Sequence, residues 1–204
     1  MRVFIDTVDV VEIEKYAALG ILSGVTTNPT FMKQAGYTNT EKLVTDIKRV
    51  IEDGEIHVEA WGATVDETVS KAVNLHTKYT NLVFKIPFTP NGIKAASILT
   101  RKQIACNMHL VFSPNQALIA DQIGASYICP LVGRIDDLGY DGVAIMRDIR
   151  AVVKNTNIIA SSIRHPKHVM LLAKENIEAI TIPPRVLSLM IQHPLTDKGI
   201  ELFK

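Results

Sequence analysis

The chain has 204 residues, of which 47% are hydrophobic, and its formal net charge is +1. A chain of this length and composition folds into one domain or a compact pair of domains around a sizeable core. Without a basic block or an acidic tail, the charge pattern argues against nucleic acid or an anionic membrane surface as a partner. The apolar stretches are too short to cross a bilayer, which excludes a membrane-spanning protein.

Cysteine usage and the start of the chain indicate a cellular compartment. Cys106 and Cys129 both lie in apolar runs, which is typical of reduced core residues and not of a disulfide or a metal pair. A strand pattern begins at Val3 and leaves no room for a signal peptide. We therefore expect a soluble, cytoplasmic protein.

Short apolar runs alternate with amphipathic segments along the whole chain. The predicted strands are Val3–Asp6, Leu22–Thr26, Ile56–Ala60, Leu82–Ile86, Ala105–Val111, Ser126–Leu131, Asn157–Ser161 and Ala179–Ile182. The predicted helices include Asp66–Tyr79, Gly92–Lys102, Pro114–Ile123, Asp141–Lys154 and Pro166–Lys174. Three of these helices are preceded by residues that often stand at a helix start, which are Thr64, Ser113 and His165.

Eight strands, each followed by a helix and spaced by roughly 20 to 35 residues, predict a (β/α)₈ TIM barrel. The barrel would be compact, would form a single domain over residues 1–204, and would end in a helix from about residue 194 to 204. The competing architecture is an open doubly wound sheet, which requires a glycine-rich turn after the first strand. The segment from Asp6 to Asp9 contains no glycine, so we favour the barrel.

Lys85 is the most informative residue, because it interrupts a run that otherwise reads as a buried strand. A buried ammonium group costs several kcal/mol or more unless it finds a partner or loses its proton. A neutral lysine is a nucleophile that forms Schiff bases with carbonyl groups. The alternative is a half-buried strand on which Lys85 faces solvent.

Polar side chains recur where the predicted strands end, which is the face that carries the active site in barrels of this kind. Alternation along the strands places Lys85, Asp6 and Glu59 on the inner side. Taken singly, Asp6 would serve as a helix cap, Glu59 as an ion-pair partner and Arg134 as a solvated loop residue. Their convergence favours one shared site, which would comprise Asp6, Thr26, Thr27, Asn28, Glu59, Lys85, His109, Arg134, Ser162 and Arg164.

Several segments resemble the small-subunit transaldolases, whose closest relatives are the fructose-6-phosphate aldolases. The resemblance covers nearly the whole chain in order, with nearly constant spacing. It rests on the segments Gly24–Pro29, Phe84–Pro87, Phe112–Ala117, Gly133–Asp137, Ser162–Pro166 and His193–Asp197.

This resemblance implies a class I enzyme that uses neither a metal nor an organic cofactor. Lys85 would form a Schiff base with the C2 carbonyl of a ketose phosphate, and Asp6 would remove the proton of the C4 hydroxyl. Glu59 would act through a water during formation and dehydration of the carbinolamine. Asn28 would bind hydroxyls of the dihydroxyacetone unit, with Thr26 supporting its loop.

The family's phosphate site corresponds to Arg134, Ser162 and Arg164, and two guanidinium groups with a hydroxyl suit a dianion. Glu59 and Arg164 are typical of transaldolases, whereas the aldolases carry glutamine and lysine there. Leu131 matches neither group. Transfer of the three-carbon unit to an aldose phosphate is therefore favoured over its release, and a sugar-phosphate-binding barrel without activity remains a third reading.

His109 is the main departure from the family pattern, because threonine holds the catalytic water at this position. Histidine can hold a water or replace it as a proton shuttle. Cys129 replaces a serine or alanine, Leu131 removes an aromatic wall, and Trp61 is expected to narrow the mouth. The resemblance also implies a homo-oligomer, a pentamer or decamer, in which a C-terminal tail that extends beyond the position of Lys204 packs on a neighbouring subunit.

Overall fold

A computed structural model describes residues 1–204 and shows one closed barrel of eight parallel strands in the order of the chain. The strands are β1 Arg2–Asp6, β2 Gly24–Thr26, β3 Glu55–Glu59, β4 Leu82–Pro87, β5 Cys106–Val111, β6 Tyr127–Pro130, β7 Asn157–Ala160 and β8 Ala179–Ile182. Pairing of β1 with β8 closes the barrel. The predicted (β/α)₈ fold is confirmed.

Each strand leads into at least one helix on the outside of the barrel. The helices are α1 Val10–Ala17, α2 Pro29–Gln34, α3 Thr40–Lys48, α4 Val65–His76, α5 Pro90–Arg101, α6 Pro114–Gln122, α7 Val132–Asp136, α8 Gly142–Val152, α9 Pro166–Lys174, α10 Pro184–Ile191 and α11 Pro194–Leu202. Helix α11 follows α10 and has no buried residue, so it extends from the barrel as predicted. No helix is long and apolar enough to cross a membrane.

The helix starts follow local chemistry that is visible in the sequence. Thr64, Ser113 and His165 are the N-caps of α4, α6 and α9, and each side chain accepts a hydrogen bond from a main-chain N–H three residues later. The cap of α1 is Asp9, whose carboxylate accepts from two main-chain N–H groups. Asp6 is therefore not needed as a cap, and its carboxyl group is free for the mouth of the barrel.

Strand β2 is shorter than predicted, because its ladder begins at Gly24 and not at Leu22. Leu22 packs against the core layer between strands and helices. Its hydrophobicity is explained by this packing and does not indicate that it pairs in the sheet. Gly24 lies where a side chain has no room: an added Cβ would sit 2.1 Å from the Glu55 carbonyl oxygen and 2.8 Å from the Phe4 ring.

The hydrophobic core is divided by the sheet. A cluster of 43 buried residues fills the layer between strands and helices, whereas only six occupy the barrel interior. These six are Phe4, Val83, Tyr127, Cys129, Ile159 and Ala179. Polar side chains also point into the barrel, and they lie at its two ends.

The amino-terminal end of the interior is closed by a polar network around His57. The His57 ring is fully buried and packs edge-on against Phe4 and Tyr127. Its Nε2 lies 3.3 Å from a Glu55 carboxylate oxygen, and its Nδ1 lies 2.9 Å from the Asn107 amide nitrogen. A neutral ring with the proton on Nε2 satisfies both contacts. His57 is thus a hydrogen-bonding residue of the barrel interior.

Candidate active site

A cavity of about 400 Å³ opens at the carboxyl ends of the strands. All but one of the predicted catalytic and substrate-binding residues line it, in agreement with the alternation of side chains along the strands. They are Asp6, Thr26, Asn28, Glu59, Lys85, His109, Arg134 and Ser162.

Lys85 points into this cavity and is only 7% exposed, which excludes the solvent-facing alternative. Its Nζ donates to the Thr27 carbonyl oxygen at 2.6 Å and lies 3.2 Å from Glu59 Oε1. Burial alone would lower the pKa of Lys85, but the groups around it, of which Glu59 has the largest effect, together outweigh burial, so the pKa is raised. In the resting protein the buried lysine therefore has a partner and keeps its proton.

Glu59 is the charged partner, and its side chain is 10% exposed. Burial would raise the pKa of Glu59, but Lys85 and His109 together outweigh burial and the pKa is lowered. The sequence alone did not predict whether the pKa of Glu59 would be raised or lowered. The Glu59 carboxylate stays ionised, so it can accept the proton that Lys85 must lose before it attacks a carbonyl.

Asp6 has the opposite character. Burial raises the pKa of Asp6 and outweighs the opposing effects of Lys85 and of a hydrogen bond from Thr26. That bond joins Thr26 Oγ1 to Asp6 Oδ1 at 2.8 Å, and Thr181 Oγ1 lies 2.6 Å from the same hydroxyl. A hydroxyl has one proton, so when Thr26 donates to Asp6 it must accept from Thr181. Thr26 therefore orients Asp6, a contact that the sequence did not predict.

Two carboxyl groups thus flank one lysine in environments that move their pKa values apart. Such a pair divides proton transfer between two groups, since one carboxyl remains ionised while the other titrates closer to neutrality. The arrangement is suited to forming a lysine adduct on one side and to moving a substrate proton on the other.

The side-chain amide of Asn28 has an oxygen that accepts hydrogen bonds and an NH₂ group that donates them. Its Oδ1 accepts from the main-chain N–H of Phe31 at 2.9 Å and so caps α2. The residue also lines the cavity, and the remaining group on that amide is the NH₂. Asn28 therefore presents hydrogen-bond donors to a ligand.

Arg134 and Ser162 lie on the opposite side of the cavity. The backbones that carry them approach closely, since an added Cβ on Gly133 would sit 2.4 Å from the Ser162 carbonyl oxygen. Ser162 itself has a φ of 59°, a left-handed conformation that is uncommon outside glycine and asparagine. Both side chains line the cavity, so a cation and a hydroxyl are available there for an anion.

Arg164 does not line the cavity, and the expectation that both arginines face the mouth is wrong for this conformation. Its guanidinium group pairs with the Asp137 carboxylate at 2.7 Å, and its side chain is 45% exposed. The nearby carboxylate gives the cation a partner at the rim, which the spacing of residues in the sequence could not reveal.

His109 contacts the Glu59 carboxylate at the oxygen that does not face Lys85. Its Nε2 lies 3.2 Å from Glu59 Oε2, so the two oxygens of Glu59 face two different side chains. The register between β5 and β6 shifts after His109, and Leu110 adopts a φ of 58°. This bulge redirects the strand at the residue that carries the imidazole.

The sequence did not reveal that Thr27 acts through its carbonyl oxygen, nor that Thr181 and Leu110 line the cavity. Thr181 could have been found, because it has the same inward parity on β8 as Asp6 has on β1. Cys129 and Leu131 line the cavity as well, whereas Trp61 lines a neighbouring one. No group of three or more histidine, cysteine, aspartate or glutamate side chains is arranged to hold a metal ion.

The family model described as transaldolase/fructose-6-phosphate aldolase matches residues 3–203. The chain belongs to this family. It is 44% identical to a probable transaldolase of Pelotomaculum thermopropionicum, in an alignment that covers the whole chain and 95% of that protein. Probable transaldolases of Kosmotoga olearia and Nitrosopumilus maritimus are 42% and 40% identical over the whole chain, covering 94% and 93% of their lengths. Membership of the family supports an enzyme with transaldolase-type activity.

Proposed function

We propose that the protein is a class I transaldolase of the pentose phosphate pathway. It would transfer a dihydroxyacetone unit from sedoheptulose 7-phosphate or fructose 6-phosphate to glyceraldehyde 3-phosphate or erythrose 4-phosphate. The observation that carries this proposal is the buried Lys85, which lies 3.2 Å from an ionised Glu59 in a cavity that also contains Asp6.

The first steps make the Schiff base. Glu59 takes a proton from Lys85, whose neutral amine then attacks the C2 carbonyl of the ketose. A C–N bond forms, the carbonyl electron pair moves to oxygen, and transfer of a proton from the nitrogen to that oxygen gives the carbinolamine. Loss of water leaves an iminium ion that can accept electrons from the adjacent carbon–carbon bond.

Cleavage of the C3–C4 bond then needs a base at the C4 hydroxyl. Asp6 accepts that proton, the C4 carbon becomes an aldehyde carbonyl, and the bond electrons move into an enamine on Lys85. The raised pKa of Asp6 suits a group that takes this proton and later returns it when the acceptor aldehyde arrives.

The remaining residues would bind the two ends of the sugar. Arg134 and Ser162 would hold the phosphate group, and Arg164 would join them by leaving Asp137. The NH₂ of Asn28 would donate to hydroxyl oxygens of the three-carbon unit. Glu59 favours transfer, because by family resemblance the enzymes that release free dihydroxyacetone carry glutamine at this position.

The test is release of glyceraldehyde 3-phosphate from fructose 6-phosphate, measured with and without erythrose 4-phosphate. A transaldolase releases it only with the acceptor and forms sedoheptulose 7-phosphate. Release without acceptor would instead identify a fructose-6-phosphate aldolase and would contradict the interpretation that Glu59 indicates a transferase.

Borohydride reduction in the presence of fructose 6-phosphate tests the chemistry separately. We expect a mass increase on the peptide that contains Lys85 and none in the Lys85→Met variant. If sugar phosphate binds, by calorimetry, but neither adduct nor product forms, the protein is a binding protein and the proposal is wrong.

A further inference from the structure

Glu59 Oε2 and His109 Nε2 are both buried, and neither has a well-aligned hydrogen-bond partner although they lie only 3.2 Å apart. Buried polar atoms rarely remain unpaired, so this pair has capacity for a third polar group. The other oxygen of Glu59 faces Lys85, which places such a group next to the reacting amine. The hydroxyl of a carbinolamine on Lys85 is a group of this kind.

His109 also borders a second cavity of about 630 Å³, which lies beside the first. Apart from His109, this cavity is lined by Trp61, Gly62, Ala63, Pro87, Thr89, Pro90, Asn91 and Leu110. None of these side chains carries a charge. His109 and Leu110 line both cavities, so these two residues form part of the wall between them.

We infer that His109 is a proton relay that connects the second cavity to the carbinolamine on Lys85, in place of an ordered water. The inference rests on the proposed function and adds a residue and a route for the proton. An imidazole has two ring nitrogens, so it can give a proton from one and regain it at the other.

Dehydration of the carbinolamine needs one proton at its oxygen. The neutral imidazole of His109 gives its Nε2 proton to that oxygen while Nδ1 takes a proton from solvent in the second cavity, and the C–O bond breaks with its electron pair leaving in water. The nitrogen lone pair of the adduct forms the C=N bond, so the charge of the solvent proton passes to the iminium ion. Hydrolysis of the product imine follows the reverse path, which moves the proton of His109 from Nδ1 back to Nε2 and returns one proton to solvent.

The pH dependence of this step reflects every ionisable group that faces His109. On the side of the first cavity these are Asp6, Glu59, Lys85, Cys129 and Arg134, whereas the second cavity contributes none. The Lys85 and Glu59 charges oppose each other next to the ring. We therefore compare the variants at one fixed pH.

The experiment measures imine formation directly, by mixing protein with fructose 6-phosphate and quenching with borohydride at millisecond times. We expect His109→Ala to slow labelling of Lys85 by about 100-fold, within the range for general acid–base groups. Added imidazole should restore at least about tenfold of the rate in a saturable manner, because it can enter the second cavity and replace the missing ring. His109→Gln should be as slow as His109→Ala, since glutamine forms hydrogen bonds but carries no proton between two sites.

Two further variants test the route. Ala63→Trp places a large side chain at the lining of the second cavity, so in the His109→Ala background it should abolish rescue by imidazole. Ala18→Trp is the matched control, because Ala18 is exposed at the end of α1 and borders neither cavity.

The inference is overturned if His109→Ala or His109→Gln forms the imine at the native rate, or if imidazole fails to accelerate His109→Ala. Rescue that persists with Ala63→Trp would contradict the second cavity as the route. Absence of any borohydride adduct in the native protein is a different result, because it would overturn the proposed function itself.

Discussion

At the scale of single residues, the site is organised by two carboxyl groups whose environments differ. Asp6 is partly buried beside hydroxyl groups, and its pKa is raised by desolvation. Glu59 is equally enclosed but shares its oxygens between Lys85 and His109, and its pKa is lowered despite burial. The chemistry of each group therefore depends on its neighbours, and the identity of the side chain alone would not assign the two roles.

Replacing Glu59 tests how Lys85 is held in its charged form. In Glu59→Gln the burial of Lys85 loses the largest effect that opposes it, so we expect the pKa of Lys85 to fall. Competitive acetylation with acetic anhydride, followed across pH by mass spectrometry, reports the neutral amine, and its midpoint at Lys85 should move to lower pH. Glu41→Gln is the control, since it removes a surface ion pair with Lys78. An unchanged midpoint at Lys85 would contradict the role of Glu59.

Asp6 and Thr26 allow a second test at this scale. Asp6→Asn should still form the borohydride adduct, but product release should fall by about 10²–10⁴-fold because no base reaches the C4 hydroxyl. Thr26→Val removes a hydrogen bond that lowers the pKa of Asp6. A base works only when deprotonated, so the acid limb of the pH–rate profile should move to higher pH in Thr26→Val. A shift in the opposite direction would exclude Asp6 as the base.

At the scale of elements, strand parity explains what could be predicted from the sequence. Alternation along β1, β3 and β4 places Asp6, Glu59 and Lys85 inside, as expected. The bulge at Leu110 could not be predicted, because its segment contains no glycine or proline to signal an irregular strand. The ion pair of Arg164 was equally invisible, since it depends on how the loop after β7 meets α7 in space.

Helix α2 connects stability to ligand binding through Asn28. Asn28→Asp keeps an oxygen that caps the helix but removes the NH₂ and adds a charge to the cavity. We expect its free energy of unfolding to stay within about 0.5 kcal/mol of the native value while KM for fructose 6-phosphate rises. Asn28→Ala should lose about 1 kcal/mol of stability as well. Denaturant unfolding and steady-state kinetics separate the two effects, and equal stability of both variants would exclude the capping role.

At the scale of the whole molecule, one end of the barrel interior contains a network that stabilises the fold and the other end contains the candidate active site. The amino-terminal end contains Glu55, whose pKa is lowered to about 2. Burial alone would raise this pKa, but hydrogen bonds from His57, Tyr127 and Arg2 outweigh it. A carboxyl whose pKa is lower in the folded state stabilises the fold above its ordinary pKa of 4.5, and that contribution is lost as pH falls from 4.5 towards about 2.

Glu55→Gln should therefore destabilise the protein at pH 7 and much less at pH 3. We expect a loss of roughly 1–2 kcal/mol at pH 7, reduced from the full linkage value because the side chain is partly exposed. Thermal unfolding at both pH values measures the difference, and Glu52→Gln on the exposed neighbouring residue is the control. Equal losses at pH 7 and pH 3 would show that the charge of Glu55 is not what stabilises this end.

We also propose that the protein works as a homo-oligomer, a pentamer or decamer as the family resemblance implies. Large apolar side chains are exposed on the last two helices, namely Leu189, Ile191, Leu195, Ile200 and Leu202, with Phe203 91% exposed beyond them. Such a surface is typical of one that becomes buried between subunits. Light scattering coupled to size-exclusion chromatography should give a multiple of the chain mass, which Leu195→Glu with Ile200→Glu should reduce. A native monomer would contradict this proposal.

Glu55 and Glu59 lie at the two ends of β3, so the length of this strand separates the network at Glu55 from the cavity around Lys85. Five residues of strand span roughly 13 Å between the end positions. Substitutions more than about 7–10 Å apart that share no partner usually act additively. A change at Glu55 and a change at Leu131 should therefore alter stability and substrate choice independently of each other.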